Sequence, residues 1–251
     1  MTAAEPDPPA AAAARTIVRV ELSSNERPAL IRWSTPVPPQ VYDAYAVLTG
    51  SGPVLVDPEV AAPADWRRLL ALVGQRPVAT VLTSAWHERT AYRLRDAHAI
   101  PVWVPAAGVG ELEGRPDHLY GDGAALPGGL RAIGIDGRYA GDTVLGWAPP
   151  TGPNVLFTGD VILGQLNPED GRADHWRRAP GLYLWLHGPG ERARFRAVFG
   201  RLLEEDFELV CSAHSVVLCD APKAALARAL ATGRVVERPM GRGTAVALIP
   251  A

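Results

Sequence analysis

Four apolar runs in this 251-residue chain stop at residues whose side chains do chemistry. Val54-Leu55-Val56 ends at Asp57-Pro58 and Val81-Leu82 ends at Thr83. Val155-Leu156-Phe157 leads into Thr158-Gly159-Asp160, and Leu209-Val210-Cys211 leads into Ser212-Ala213-His214. Just past Thr83 stands Trp86-His87-Glu88-Arg89, a knot of indole, imidazole, carboxylate and guanidinium. In α/β proteins the chemistry collects at the carboxyl ends of strands. An imidazole there exchanges protons near neutral pH or ligates a metal, whereas a guanidinium keeps its charge at any working pH.

The elements that must carry these residues are legible from alternation and turn punctuation. Residues 16–22 and 29–34 alternate, and 44–49 and 53–56 are separated by Gly50-Ser51-Gly52, a hairpin signal. Residues 65–73 carry helical periodicity and stop at Gly74. A short buried strand at 78–82, a helix at 88–98 and a strand at 102–104 follow. That β-α-β-α-β rhythm predicts parallel strands joined by crossover helices. Further on, 130–135, 143–148 and 154–157 read as a meander with Thr151-Gly152-Pro153 as a turn. An amphipathic helix is expected at 190–203, a buried strand at 207–211, a helix at 223–231, and closing strands at 235–238 and 244–249. Two successive halves of this kind fit two mixed sheets packed face to face with helices outside.

With 47% hydrophobic and 21% charged residues the chain can bury a large core, and one domain over residues 15–251 is expected. An Ala/Pro-rich acidic tail, residues 1–14, precedes it. A net charge of −2 without a basic run argues against a nucleic-acid surface. No apolar stretch is long enough to span a bilayer, and the N-terminus lacks the basic and apolar regions of a leader. The expectation is a soluble cytoplasmic protein that meets a small molecule and is able to form a homo-oligomer. Cys211 and Cys219 are too few for a disulfide framework and are expected to be buried small hydrophobes.

In order, spacing and wording the four runs resemble the metallo-β-lactamase-fold superfamily over residues 16–235. Leu156-Phe157-Thr158-Gly159-Asp160 is the most specific match, because in that family this aspartate bridges two metal ions. His214 stands at a late histidine ligand, and Asp57 at the aspartate that orients the ligand-bearing loop. The resemblance implies an αββα sandwich of four layers. It also implies hydrolysis by a dinuclear site, whose ions lower the pKa of a bridging water and polarise a substrate oxygen.

The departures matter as much. After its threonine the family writes His-x-His-x-Asp-His. Aligned without gaps, Ser84 and Trp86 stand at the first two histidines, Glu88 at the aspartate and Arg89 at the last histidine. Asp142, in Gly141-Asp142-Thr143, stands at a further histidine. The first metal's ligands have become Ser84, Trp86 and Asp142, so the usual pair of ions is not expected. At the second position Arg89 opposes an ion: two cations about 4 Å apart at an effective dielectric of 20 repel by about 4 kcal/mol.

Three readings stay open. In one, Arg89 replaces the metal by forking onto Asp160, and onto Asp142 or Glu88, with His87 or His214 handling protons. In the second, the loop shifts by one residue, His87 supplies the missing imidazole, and one zinc, manganese or iron sits among His87, Glu88, Asp142, Asp160 and His214. Such an enzyme would hydrolyse an ester, lactone, thioester or phosphodiester. In the third, the fold is a non-catalytic scaffold or binding protein. The candidate catalytic residues are thus His87, Arg89, Asp160 and His214, and the candidate metal ligands Glu88, Asp142, Asp160 and His214. Trp86, with Trp176, Tyr183 and Trp185 of the aromatic and arginine-rich segment 161–189, is the candidate substrate contact for an anionic or aromatic molecule.

Overall fold

The computed structural model describes residues 17–20, 29–37, 40–135, 141–163, 181–186, 197, 199–214, 217–232, 234–240 and 243–249. Seven strands form the first sheet in chain order: β1 (Ile17–Val20), β2 (Leu30–Val37), β3 (Gln40–Val47), β4 (Val54–Val56), β5 (Ala79–Val81), β6 (Val102–Pro105) and β7 (His118–Tyr120). β1 to β4 run antiparallel, and β4 to β7 run parallel through the expected crossovers. The second sheet joins β8 (Leu130–Gly134), β9 (Thr143–Trp147), β10 (Val155–Gly159) and β13 (Leu209–Ser212) in the order β13-β10-β9-β8. Its meander is antiparallel, and β13 joins β10 in parallel.

Period-two alternation decides what each face touches. Tyr45 and Val47 point into the space between the sheets with Val54, Val56 and Val81, where they meet Leu145, Trp147, Val155, Phe157 and Leu209 of the second sheet. Their neighbours Ala44, Ala46 and Leu55 face outward against α1 (Pro63–Val73) and Leu94 of α2 (Ala91–His98). On the other side Leu156, Val144 and Val210 pack against Phe199, Leu202 and α3 (Pro222–Thr232). The result is the helix–sheet–sheet–helix sandwich expected from the sequence. α1 shows the local logic. Pro63 opens it, the Asp65 carboxylate accepts from the Ala62 amide at 3.0 Å, Trp66, Leu69 and Val73 face the core, and Gly74 closes it at φ +73°.

Several expectations need amending. A third, antiparallel sheet of β11 (Ile162–Leu163), β12 (Gly181–Leu186), β15 (Gly243–Ile249) and β14 (Arg234–Met240) was not foreseen as a unit. The helix expected at 88–98 is shorter. A 3₁₀ turn covers Ala85–His87 and α2 begins at Ala91, because Arg89 sits at φ +40° and interrupts the helical path. Of the helix expected at 190–203, positions 197 and 199–202 are helical and the rest lies outside the described residues. The tail at 1–14 also lies outside them. Cys211 is buried as expected but Cys219 is exposed, one residue past the core position of Leu218. Among the described residues no helix is long and apolar enough to cross a membrane.

Candidate metal centre

The same end of the sandwich gathers the polar ends of both sheets. Asp57 follows β4, Thr83 follows β5, Asp160 follows β10, His214 follows β13, and Asp142 precedes the antiparallel β9. Backbone bonds lace these ends together: Thr143 N–H to Thr83 O at 2.9 Å, Ala213 N–H to Gly159 O at 2.9 Å and Asp43 N–H to Ala213 O at 2.7 Å. The buried Tyr45 hydroxyl also donates to Ser212 O at 2.7 Å. These positions are held by obligatory backbone pairing and are not free loops.

Asp57 organises the first half of the site. One carboxylate oxygen accepts from the Thr83 amide at 2.8 Å. The other accepts from the Thr83 hydroxyl at 2.6 Å and lies 2.9 Å from His87 Nδ1. That contact places a proton on Nδ1 and turns Nε2 the opposite way, toward Asp160. The second histidine is set in the same manner, with His214 Nδ1 2.9 Å from the backbone oxygen of Val41. Both Nε2 atoms then converge on one oxygen of Asp160, at 3.3 Å from His87 and 3.2 Å from His214. The two rings stand 6.2 Å apart at 75°. Gly159 makes this approach possible. Its φ is +52°, and a Cβ there would come within 2.4 Å of the Thr83 hydroxyl and 3.4 Å of His87 Cε1.

His87 Nε2 and Asp160 Oδ1 are both buried without a well-aligned hydrogen bond. Ligand atoms that face one another at this spacing, two of them on imidazoles anchored at Nδ1, fit a cation. Ligand atoms of His87, Asp160 and His214 all lie within 4.8 Å of one another, and among the described residues this is the one cluster of three or more histidine, cysteine or acidic side chains with that closeness. Its two imidazoles and one carboxylate suit zinc, manganese or iron.

The electrostatics reflect the same crowding. Burial opposes a charged His87, but the Asp57 and Asp160 carboxylates outweigh it and hold the imidazole up at about 9. Burial likewise opposes the Asp160 charge, yet His87 and His214 keep that carboxyl far below its usual range. Asp142 goes the other way, raised to about 6 by burial and by the Asp160 charge, with a hydrogen bond from Ser84 working against the rise.

The residues singled out from the sequence therefore part company. His87, Asp160 and His214 come together, and Asp142 is buried beside them. Glu88 does not join the cluster, since its carboxylate accepts from the amides of Glu113 at 2.9 Å and Gly114 at 2.8 Å. Arg89 does not fork onto Asp160. It donates to the backbone oxygens of Asp43 and Asp57, each at 2.8 Å, with its guanidinium 4.6 Å from the centre of the Tyr42 ring. Ser84, at a lost histidine position, caps the 3₁₀ turn by accepting from the Trp86 amide at 3.3 Å, and Trp86 is 43% exposed at the rim. Trp176 and the side chains of Tyr183 and Trp185 lie outside the described residues, although the backbone of the latter two forms β12. His98 and His118 stack on Trp66 and Trp103 away from the site. Sequence reasoning missed the contribution of β3, where Val41, Tyr42 and Asp43 meet residues 170 or more positions away, a distance no local pattern announces.

No family model and no curated protein matches the sequence. Solved structures do resemble it. The metallo-β-lactamase family protein TTHA1429 from Thermus thermophilus superposes with a TM-score of 0.56 at 16% identity, over 81% of this chain and 79% of that one. A metallo-β-lactamase from Hirschia baltica gives 0.55 at 12% identity, over 85% and 96%. TTHA1623, solved in a di-iron-bound form, gives 0.54 at 24% identity, over 78% and 96%. At such identities the likeness carries the architecture, and the chain has the metallo-β-lactamase fold.

Proposed function

We propose that this chain is a hydrolase of a small ester, lactone, thioester or phosphodiester that works with one divalent metal held by His87, Asp160 and His214. The observation that carries the reading is the cluster of ligand atoms in which His87 Nε2 and His214 Nε2 meet one Asp160 oxygen, each imidazole being anchored at its Nδ1. When bound, the ion lowers the pKa of a coordinated water and polarises the substrate oxygen. Asp57 and Val41 O hold both imidazoles by Nδ1, so Nε2 is the nitrogen that each turns toward Asp160 and would offer to an ion. That occupies the histidines as ligands and takes them out of proton transfer. Asp142, buried beside Asp160, is the group placed to carry the proton at its carboxylate. Trp86, exposed on the turn that delivers His87, offers an apolar face to a bound molecule.

A metal-free site built on Arg89 loses its support, since the guanidinium is committed to two carbonyls of the protein's own backbone. Elemental analysis of protein purified without chelator tests the proposal. About one zinc, manganese or iron per chain is expected, and it is lost in His214→Ala. Wild-type protein with no bound metal, after incubation with each of these ions and desalting, would refute it.

A further inference from the structure

Arg89 stands at the position of a lost ligand, yet its side chain serves both surviving imidazoles at one remove. The ladder between β3 and β4 ends at Tyr45 and Val56. Beyond that pair the two segments diverge, and Pro58 has no amide to continue the pairing. The Arg89 guanidinium fills the gap, with Nη1 bonded to Asp43 O and Asp57 O at 2.8 Å each. These are the segments that orient the histidines: the Asp57 carboxylate sets His87 Nδ1, and Val41 O sets His214 Nδ1. Tyr42 lies between, its ring 4.6 Å from the guanidinium carbon on one side and 5.1 Å from the His214 ring, edge-on, on the other.

Backbone conformation points the same way. Asp57 at φ +47° and Arg89 at φ +40° are two of the four non-glycine residues among those described in the left-handed region, and the side chain of one bonds to the carbonyl of the other. Such conformations persist where the surroundings over-determine them. Here the over-determination converges on the anchors of the two ligand histidines.

We infer that Arg89 is a positioning residue for the metal pocket. Its Nη1 ties Asp43 to Asp57, and its stack on Tyr42 presses that ring against His214, so that one cation outside the pocket fixes the facing of both Nε2 atoms. A planar cation that stacks on a ring while its Nη1 bonds two carbonyls is matched only in part by the shorter, tetrahedral ammonium of lysine. The inference rests on the single-metal reading, and its test separates the two.

Chelator-treated wild-type, Arg89→Met and Arg89→Lys proteins are titrated with cobalt(II), following both affinity and the d–d absorption bands. The imidazole nitrogen and proton NMR signals of His87 and His214 are recorded on the same metal-free samples. Arg89→Met is expected to bind cobalt about 10- to 100-fold more weakly, with altered bands and loss of the fixed Nδ1–H form at His214; Arg89→Lys is expected to fall between. Unchanged affinity, bands and imidazole signals in both variants overturn the inference. Should Arg89→Met fail to fold, Arg89→Lys decides alone, a shift from wild type supporting the role and identity with wild type ending it. A wild-type protein that takes up no cobalt removes the single-metal reading, and the metal-free imidazole signals then decide for or against Arg89.

Discussion

Asp57→Asn removes the anchor of His87 and, with the same oxygen, the acceptor of the Thr83 hydroxyl. Asparagine tolerates the left-handed backbone that Asp57 adopts at φ +47°, keeps the volume, and retains an oxygen for the Thr83 amide. It replaces the oxygen that faces His87 Nδ1 at 2.9 Å with an NH₂ donor. His87 must then turn or shift its proton to Nε2, the atom that faces Asp160. Loss of an outer partner of this kind weakens metal binding by about 10- to 100-fold, or about 1.4 to 2.8 kcal/mol.

Metal-free protein supplies a second, independent readout. His87 is raised from 6.5 to about 9 in the folded state, burial opposing the shift and Asp57 and then Asp160 driving it. A raised imidazole stabilises the fold fully below pH 6.5, and that contribution is lost as pH rises through about 9. At 1.36 kcal/mol per pH unit it amounts to about 3 kcal/mol. Asp142 titrates below this window, and its raised carboxyl makes its own contribution fall from about pH 4 to 6. Cys211, pushed up by burial, adds the same slope to both proteins. Urea unfolding of chelator-treated protein at pH 6, 7.5 and 9 should therefore show wild-type stability declining by about 3 kcal/mol, with less than half of that decline in Asp57→Asn. Equal slopes in the two proteins, together with equal metal affinity, would refute the role given to the Asp57–His87 pair.

Other substitutions probe the remaining parts of the site. Gly159→Ala adds a methyl 2.4 Å from the Thr83 hydroxyl at a backbone φ of +52°, so thermal unfolding should show a loss of about 1 to 2 kcal/mol from the backbone alone, with weaker metal retention. Asp142→Asn should keep the metal, as judged by elemental analysis, while hydrolysis of any accepted substrate falls about 10²- to 10⁴-fold; retained activity removes the proton-carrying role. Glu88→Gln should leave metal content unchanged, because Glu88 is tied to the amides of Glu113 and Gly114, and a loss of metal would return it to the ligand set.

Much of the fold could be read from the chain because alternation and turn chemistry agreed with the final layers. Residues 44–47 alternate between the two cores, and Gly50-Ser51-Gly52 joins β3 to β4 as a hairpin. β7 escaped notice because three residues, His118-Leu119-Tyr120, are too few to show a period beside Pro116 and Gly121. β11 is shorter still, and its partner β12 comes after a long intervening segment. Within the site the strand ends were legible, since each apolar run stops where its strand leaves the core. The tethers from β3 were not, because Val41 O and the Tyr42 ring reach His214 only through the closure of both sheets.

The hardest feature to read was the register of residues 84–89. Counting positions from Thr83 assumes the path of the histidine-rich motif, but a 3₁₀ turn advances three residues per turn and rotates each side chain by about 120°. Ser84 initiates that turn by accepting the Trp86 amide, so Trp86 swings out to 43% exposure while His87 swings in to 3% and meets Asp57. Arg89 then breaks the path at φ +40° and turns its side chain onto Asp43, Asp57 and Tyr42. Each of these positions thus does a different job in one arrangement: Ser84 caps the turn, Trp86 lies at the rim, His87 faces inward and Arg89 bridges two backbone segments. Both histidines are anchored at Nδ1, and their Nε2 atoms meet one oxygen of Asp160 at 3.3 and 3.2 Å, the close grouping of ligand atoms on which the proposed ion would rest.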